Sequence, residues 1–171
     1  MLGKSTNVVL IGMPGAGKST VGVILAKNLS KKFIDTDLLI QNTYEMCLQD
    51  IIDKHGYIEL RNIEEKEILR MNVGNAVIAT GGSAVYSEKA MNHLKESGKI
   101  IYLKNDITEL LGRIKNFETR GLAKKKEQSF EDLFLEREAL YTSHGEITIL
   151  CGKKSHDDIA LEIMNLLTEK Q

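Results

Sequence analysis

The sequence has few of the residues that build disulfide-linked, metal-binding or membrane-spanning proteins. It contains no tryptophan, one proline and two cysteines, Cys47 and Cys151, which lie far apart. Two scattered thiols cannot form a disulfide framework or a metal knuckle, and we expect them to be buried or half-buried in a reducing compartment. No apolar run is long enough for a membrane span or a signal-peptide core. These absences predict a cytoplasmic protein.

An excess of charge of either sign is also missing. Lysine and arginine total 23 against 24 aspartates and glutamates, which gives a net charge of −1. This balance gives no electrostatic reason to expect nucleic acid or an anionic membrane as a partner. The lysine run at 124–126 is interpreted as a solvated segment. With 171 residues and no linker or internal repeat, the chain is predicted to form one domain.

A stretch near the start of the chain carries the clearest chemical pattern. An apolar run at 8–11 leads into residues 12–19, which fit G-x-x-x-x-G-K-[ST], the P-loop motif. Its glycines allow successive backbone N–H groups to surround a phosphate at the positive end of the following helix. Lys18 would reach the terminal phosphates, and the hydroxyl of Ser19 would hold Mg²⁺. The motif therefore predicts binding of nucleotide phosphates.

Short apolar runs alternate along the chain with segments of helical periodicity. The predicted strands are 8–11, 33–34, 76–79, 99–103 and 146–150. The predicted helices are 18–30, 38–44, 48–55, 58–71, 87–96, 107–114, 130–141 and 156–167. This alternation predicts an α/β fold, a three-layer open parallel sheet of about five strands with helices on both faces.

Polar groups follow the first three predicted strands, where ligands bind in open parallel sheets. They are the P-loop, the pair Asp35 and Asp37, and the pair Gly81 and Gly82. In an extended segment the two aspartates would share a side, one facing Mg²⁺ and the other an acceptor hydroxyl. The polar stretch 115–128 has few apolar anchors and is predicted to be a mobile loop or lid. A kinase needs such groups: a phosphate cradle, a metal ion and a group that positions the attacking hydroxyl.

With these motifs in this order, the chain resembles the shikimate kinase family, of the nucleoside-monophosphate-kinase-like P-loop group, over almost its whole length. The resemblance implies a single P-loop kinase domain, 1–171, with a lid at about 114–128 and acceptor-binding helices at about 37–72. It implies phosphoryl transfer from ATP to a hydroxyl of shikimate, giving 3-phosphoshikimate for aromatic amino-acid biosynthesis. Mg²⁺ would be the cofactor. The partners would be ATP and a small carboxylate-bearing polyol, and the protein would be a monomer.

The resemblance also implies roles for individual residues. ATP binding is implied for six P-loop residues and two arginines: Gly15, Ala16, Gly17, Lys18, Ser19, Thr20, Arg113 and Arg120. Mg²⁺ binding is implied for Ser19 and, through water, Asp35. Acceptor binding is implied for Asp37, Arg61, Gly81, Gly82 and Arg137, and catalysis for Lys18, Asp37 and Arg120. Arg61, braced by Glu64, and Arg137 would clamp the carboxylate, because planar guanidinium groups pair bidentately with carboxylates.

Three places differ from the family's pattern. Leu60 stands where the family has phenylalanine, which removes an aromatic wall from the acceptor pocket. Ser83 replaces the third glycine of a G-G-G turn and adds a side chain there. Residues 121–123, Gly-Leu-Ala, replace proline-leucine-leucine, which is expected to loosen the chain after Arg120 and reduce its apolar contact. We therefore expect a slightly reshaped acceptor pocket.

Several alternatives stay open on the sequence alone. Arg61 could be one more charge on a solvated helix face, and Arg137 could pair with neighbouring glutamates on its own helix. The acceptor could be another hydroxy acid, a sugar acid or a nucleoside monophosphate. A nucleotide-binding switch, or a relative that binds but turns over poorly, would use the same P-loop. The four histidines are interpreted as surface or helix-end residues, and Lys153 and Lys154 as neighbours of the adenine.

Overall fold

The computed structural model describes residues 6–113 and 121–168. Arg120 and the first part of the predicted lid lie outside these ranges. The strands are β1 Asn7–Ile11, β2 Lys32–Asp35, β3 Ala76–Ala79, β4 Gly98–Lys104 and β5 Ile147–Leu150. The helices are α1 Lys18–Leu29, α2 Thr36–Tyr44, α3 Leu48–His55, α4 Tyr57–Arg70, α5 Glu88–Ser97, α6 Ile107–Arg113, α7 Phe130–His144 and α8 His156–Thr168, with a 3₁₀ turn at Ala84–Tyr86.

The five strands form one parallel sheet in the order β2-β3-β1-β4-β5. The central strand β1 pairs with β3 on one side and β4 on the other, so that Val9 lies opposite both Ile78 and Ile100. All five residues of β1 are buried, and the four apolar ones, 8–11, form the continuous run that is typical of the centre of a covered parallel sheet. The predicted α/β fold with five parallel strands is confirmed. The carboxyl ends of β1, β2 and β3 consequently lie at one edge of the sheet.

The buried apolar side chains form two separate clusters. The larger one fills both sides of the sheet and includes all of β1 except its first residue. The smaller one lies among α2, α3 and α4 and includes Ile40, Ile51, Leu60, Ile63 and Ala123. The helices predicted to bind the acceptor thus pack on a small core of their own, and Leu60 fills part of it.

Helix α2 begins two residues earlier than the sequence predicts, and the reason is an aspartate cap. One oxygen of the Asp35 carboxylate accepts hydrogen bonds from the backbone N–H groups of Asp37, at 3.0 Å, and Leu38, at 3.3 Å. An aspartate at this position stabilises the first helical turn by about 1 kcal/mol relative to alanine. Asp37 therefore lies in the first turn of α2, and the predicted extended segment is wrong.

Other local expectations need correction as well. Strand β4 is one residue longer at each end than the predicted 99–103, because it begins at Gly98 and ends at Lys104. Of the two cysteines, Cys151 is buried, whereas Cys47 is exposed and not half-buried. In residues 6–113 and 121–168 no helix combines the length and hydropathy needed to cross a membrane.

Candidate active site

The P-loop connects β1 to α1 with the backbone that its glycines allow. Gly15 and Gly17 have φ angles of 82° and 94°, in the region that favours glycine. Lys18 is 8% exposed and folds back over the loop, where its Nζ donates to the carbonyls of Gly12, at 2.7 Å, and Met13, at 2.9 Å. The lysine charge is therefore held at the P-loop, where such a lysine binds terminal phosphates.

Ser19 and Asp35, predicted to serve one metal ion, are in direct contact. The Ser19 hydroxyl donates to Asp35 Oδ2 at 2.5 Å, while the other oxygen of Asp35 caps α2. Hard oxygen donors of this kind suit Mg²⁺, which keeps several waters and usually binds one or two protein groups together with phosphates. Within the described ranges, no cluster of three or more His, Cys, Asp or Glu side chains could hold a metal ion alone. The donor set thus fits Mg²⁺ bound jointly with a nucleotide.

A cleft of about 740 Å³ extends from the P-loop to the start of α8. Its walls include Arg113, Lys154 and His156, together with P-loop residues. Arg113 donates to the carbonyl of Gly152 at 3.4 Å, which holds it at the edge of this cleft. His156 is exposed at a helix end, as predicted, and Lys154 lines the cleft, whereas Lys153 is not among its lining residues. The P-loop and Arg113 are thus brought together as the sequence predicts.

The glycine turn after β3 lies under charged side chains. A Cβ atom on Gly81 would collide with the carboxylates of Glu64 and Asp37, and one on Gly82 would lie 2.7 Å from Nη1 of Arg137. The two glycines therefore let two carboxylates and a guanidinium group approach the same piece of backbone. The structure brings Asp37, Gly81, Gly82 and Arg137 together, as the sequence predicts.

Glu64 is buried beside this turn and has an unexpected partner. Its Oε2 accepts a hydrogen bond from the hydroxyl of Ser83, and its Oε1 has no hydrogen-bond partner within the described chain. Burial raises the pKa of Glu64 to about 7, and the nearby charge of Asp37 contributes to the rise. The hydrogen bonds of the described ranges include none from Arg61 to Glu64, so the predicted bracing of Arg61 by Glu64 is wrong in this arrangement.

The two predicted clamp arginines meet at a single oxygen atom. Arg61 on α4 and Arg137 on α7 each donate from Nη2 to the carbonyl oxygen of Ala123, both at 3.0 Å. Arg137 is only 1% exposed, so the alternative that it pairs with surface glutamates is wrong. Arg61 is half-buried rather than on a solvated face. Two cations on one oxygen form a position that suits an anionic group.

Sequence reasoning missed Tyr86, which contacts both arginines. The Arg61 guanidinium carbon lies 3.6 Å from the centre of the Tyr86 ring, and Arg137 Nε donates to the Tyr86 hydroxyl at 3.4 Å. The Tyr86 hydroxyl in turn donates to Glu136. The only signal in the sequence is that Tyr86 follows the glycine turn closely, and this position carries no motif.

Comparison with known proteins identifies the family. Residues 14–168 match the family model described as shikimate kinase. The chain belongs to the shikimate kinase family. Among its relatives, the shikimate kinase of a Sulfurihydrogenibium species is 34% identical over 165 residues, covering 96% of this chain and 99% of the relative. The shikimate kinase of Nitrosospira multiformis is 36% identical over 166 residues, covering 95% of this chain and 85% of the relative.

Solved structures of the family have the same fold. The shikimate kinase from Acinetobacter baumannii in complex with shikimate superposes with a TM-score of 0.90 at 30% identity, over 97% of this chain and 94% of the other. The enzyme from Aquifex aeolicus gives a TM-score of 0.83 at 28% identity, over 96% and 97% of the two chains. Thymidylate kinase from Candida albicans, at 14% identity and a TM-score of 0.55, shares the fold alone.

The three departures from the family's pattern all lie around one cavity of about 80 Å³. Leu60 lines it from the small core, and the Ser83 hydroxyl turns toward Glu64. Gly121 has a φ of 70°, its N–H donates to Gln49 Oε1 at 3.1 Å, and a Cβ there would lie 2.5 Å from Leu48 Cβ. Residue 121 thus packs closely against α3. The expected loosening of the chain after Arg120 is therefore wrong at this residue. Ala123 is likewise buried and packs in the small core, so it is an apolar anchor of this segment.

Proposed function

We propose that this chain transfers the γ-phosphoryl group of ATP to a hydroxyl of shikimate, giving ADP and 3-phosphoshikimate. Membership of the family supports the reaction. The observation that carries the acceptor assignment is the convergence of Arg61 and Arg137 on one oxygen, at 3.0 Å from each. An acceptor with a carboxylate and neighbouring hydroxyls suits this clamp and the Asp37 carboxylate beside it.

In the nucleotide half of the site, this chain's residues bind and neutralise the phosphates. The P-loop N–H groups and Lys18 would hold the β- and γ-phosphates and stabilise the charge that spreads over the transferred group. Ser19 and Asp35 would hold Mg²⁺, and the bound ion would neutralise part of the negative charge of the phosphates. Arg113, which lines the cleft, would pack against the adenine.

In the acceptor half, Asp37 would orient the attacking hydroxyl and accept its proton. Its carboxylate lies against Gly81, next to Glu64. With a pKa raised to about 7, Glu64 carries a proton for much of the time at neutral pH, so it adds less negative charge beside Asp37. A positioned general base contributes about 10²–10⁴-fold to a rate.

The carboxylate of the acceptor would bind where the arginines converge. This carboxylate would accept the hydrogen bonds that now go to the Ala123 carbonyl. A further donor would be Arg61 Nε, because it has no hydrogen-bond partner in the described ranges. Residues 114–128 would act as the lid, and Arg120, outside the described residues, would reach the phosphates when it closes. The free energy of substrate binding would then serve mainly to hold the reacting groups in position.

The test is coupled ADP production with Mg·ATP, with and without shikimate, beside quinate, gluconate and CMP. We expect acceptor-dependent ADP release with shikimate alone. Activity with a different acceptor only would keep the kinase and overturn the substrate. ADP release indifferent to any acceptor would overturn the kinase assignment. The monomeric state and the cytoplasmic location stay predictions, which size-exclusion chromatography and cell fractionation test.

A further inference from the structure

The acceptor clamp brings two cations together, and one of them is almost fully buried. Arg61 and Arg137 both reach the Ala123 carbonyl, so their guanidinium groups lie side by side, and Arg137 is 1% exposed. Like charges in such surroundings repel strongly, and buried charges need compensating partners. Among the ion pairs of residues 6–113 and 121–168, none includes either arginine. Something other than a direct ion pair must hold this geometry.

One side chain contacts both arginines at once. The face of the Tyr86 ring lies 3.6 Å from the Arg61 guanidinium carbon, within the distance at which the negative ring face attracts a cation. The Tyr86 hydroxyl accepts from Arg137 Nε at 3.4 Å. The ring thus binds one arginine through its face, and its hydroxyl binds the other.

Tyr86 also connects the clamp to a carboxylate. Its hydroxyl donates to Glu136, and Gln128 Nε2 donates to the second oxygen of Glu136 at 3.0 Å. The hydrogen bond from Tyr86 lowers the pKa of Glu136, and Arg61 and Arg137 contribute to the lowering, so this carboxylate stays charged. The negative charge of Glu136 therefore reaches the arginines through the tyrosine hydroxyl.

We propose that Tyr86 is a positioning residue that sets the affinity for the acceptor's carboxylate by holding Arg61 and Arg137 on one oxygen position. The inference rests on the proposed function, because it requires an acceptor with a carboxylate. It goes beyond the clamp itself, since it assigns the orientation of both cations to a third side chain. Specificity for a carboxylate over a neutral group would follow, because a prealigned pair of guanidinium groups loses less freedom on binding.

The test compares Tyr86→Leu, which removes ring and hydroxyl, with Tyr86→Phe, which keeps the ring. Tyr44→Leu and Tyr44→Phe are matched controls, because the Tyr44 hydroxyl donates to Glu67 at 3.2 Å, outside the clamp. KM would be measured for shikimate, for its neutral methyl ester and for ATP. We expect Tyr86→Leu to raise the shikimate KM about tenfold and Tyr86→Phe about threefold. KM for ATP and for the ester should stay within about twofold of wild type.

A second readout does not depend on turnover. In the acceptor-free protein, the Nε–H NMR signals of Arg61 and Arg137 report whether the two side chains are held. Both arginine signals should lose their chemical-shift dispersion in Tyr86→Leu and keep it in the Tyr44 variants. Thermal melts would verify that each variant is folded. Unchanged arginine signals, or equal rises in KM for shikimate and its ester, would overturn the positioning role. If wild type does not phosphorylate shikimate, the proposed function fails, and the NMR signals alone decide the role of Tyr86.

Discussion

The nucleotide cleft and the acceptor cavity are built in different ways. The P-loop is contiguous, and Lys18 bonds to carbonyls only five and six residues earlier in the chain. The acceptor clamp is discontinuous, and Arg61 bonds to a carbonyl 62 residues away. The cleft has a volume of about 740 Å³, whereas the acceptor cavity has about 80 Å³. A local motif on a central strand forms the first site, and packing between distant segments forms the second.

This difference predicts different responses to substitution. The cleft rests on β1, which is buried along its whole length, so its side chains can change without moving the backbone. Around the acceptor cavity, by contrast, charged side chains contact other side chains: Ser83 donates to Glu64, and the ring of Tyr86 stacks on Arg61. Substitutions in the cleft should therefore lower kcat, and substitutions around the cavity should change acceptor affinity or pH-dependent stability.

The largest effect is expected for Lys18→Met. This variant removes the cation held above the phosphate loop and should reduce kcat by about 10³-fold with any acceptor, equivalent to about 4 kcal/mol. Lys27→Met is the matched control, since Lys27 is exposed near the other end of the same helix. Steady-state kinetics and thermal melts would measure both. Equal activity of the two variants would contradict the assignment of Lys18.

Next in size is Arg61→Lys, which tests the acceptor half. Lysine keeps the charge but loses the planar group that stacks on Tyr86 and donates to Ala123. We expect the acceptor KM to rise about 10- to 100-fold, or about 1.4–2.8 kcal/mol, with the ATP KM nearly unchanged. Arg70→Lys, on the same helix with a side chain that is 60% exposed, should leave both constants unchanged. An unchanged acceptor KM in Arg61→Lys would show that the clamp is wrong.

The same contrast explains what could be predicted from the sequence. The five-stranded parallel sheet and the contact between Ser19 and Asp35 follow from the P-loop and the alternation of strands and helices, because both patterns are local. The helical position of Asp37 was missed because an aspartate cap extends a helix beyond its apolar pattern. The partners of Glu64 and the contacts of Tyr86 depend on packing between α4, α7 and the turn after β3, which no spacing in the chain records.

Stability should depend on pH through Glu64. Its pKa is raised from 4.5 to about 7, so the folded state holds a proton that the unfolded chain releases. The stabilisation is fully present below pH 4.5 and is lost as the pH rises through about 7. Between pH 4.5 and 8, wild type should lose on the order of 2 kcal/mol more unfolding free energy than Glu64→Gln. Urea unfolding would measure this, with Glu59→Gln, an exposed change on the same helix, as control. The same change of unfolding free energy with pH in wild type and Glu64→Gln would contradict the assignment to Glu64.

The smallest effect is expected at Ser83, which differs from the family's glycine. Its hydroxyl donates to Glu64, and this hydrogen bond lowers the pKa of that carboxyl against the larger effect of burial. Ser83→Ala should therefore cost about 1 kcal/mol above pH 7, and less at acid pH, because the lost bond favours the charged form. The midpoint of the pH-dependent change in unfolding free energy should move to higher pH.

Ser83→Gly should move this midpoint equally, since both variants remove the same hydroxyl. A shift in Ser83→Gly alone would assign the effect to the backbone, and the serine would then have no electrostatic role in the acceptor site.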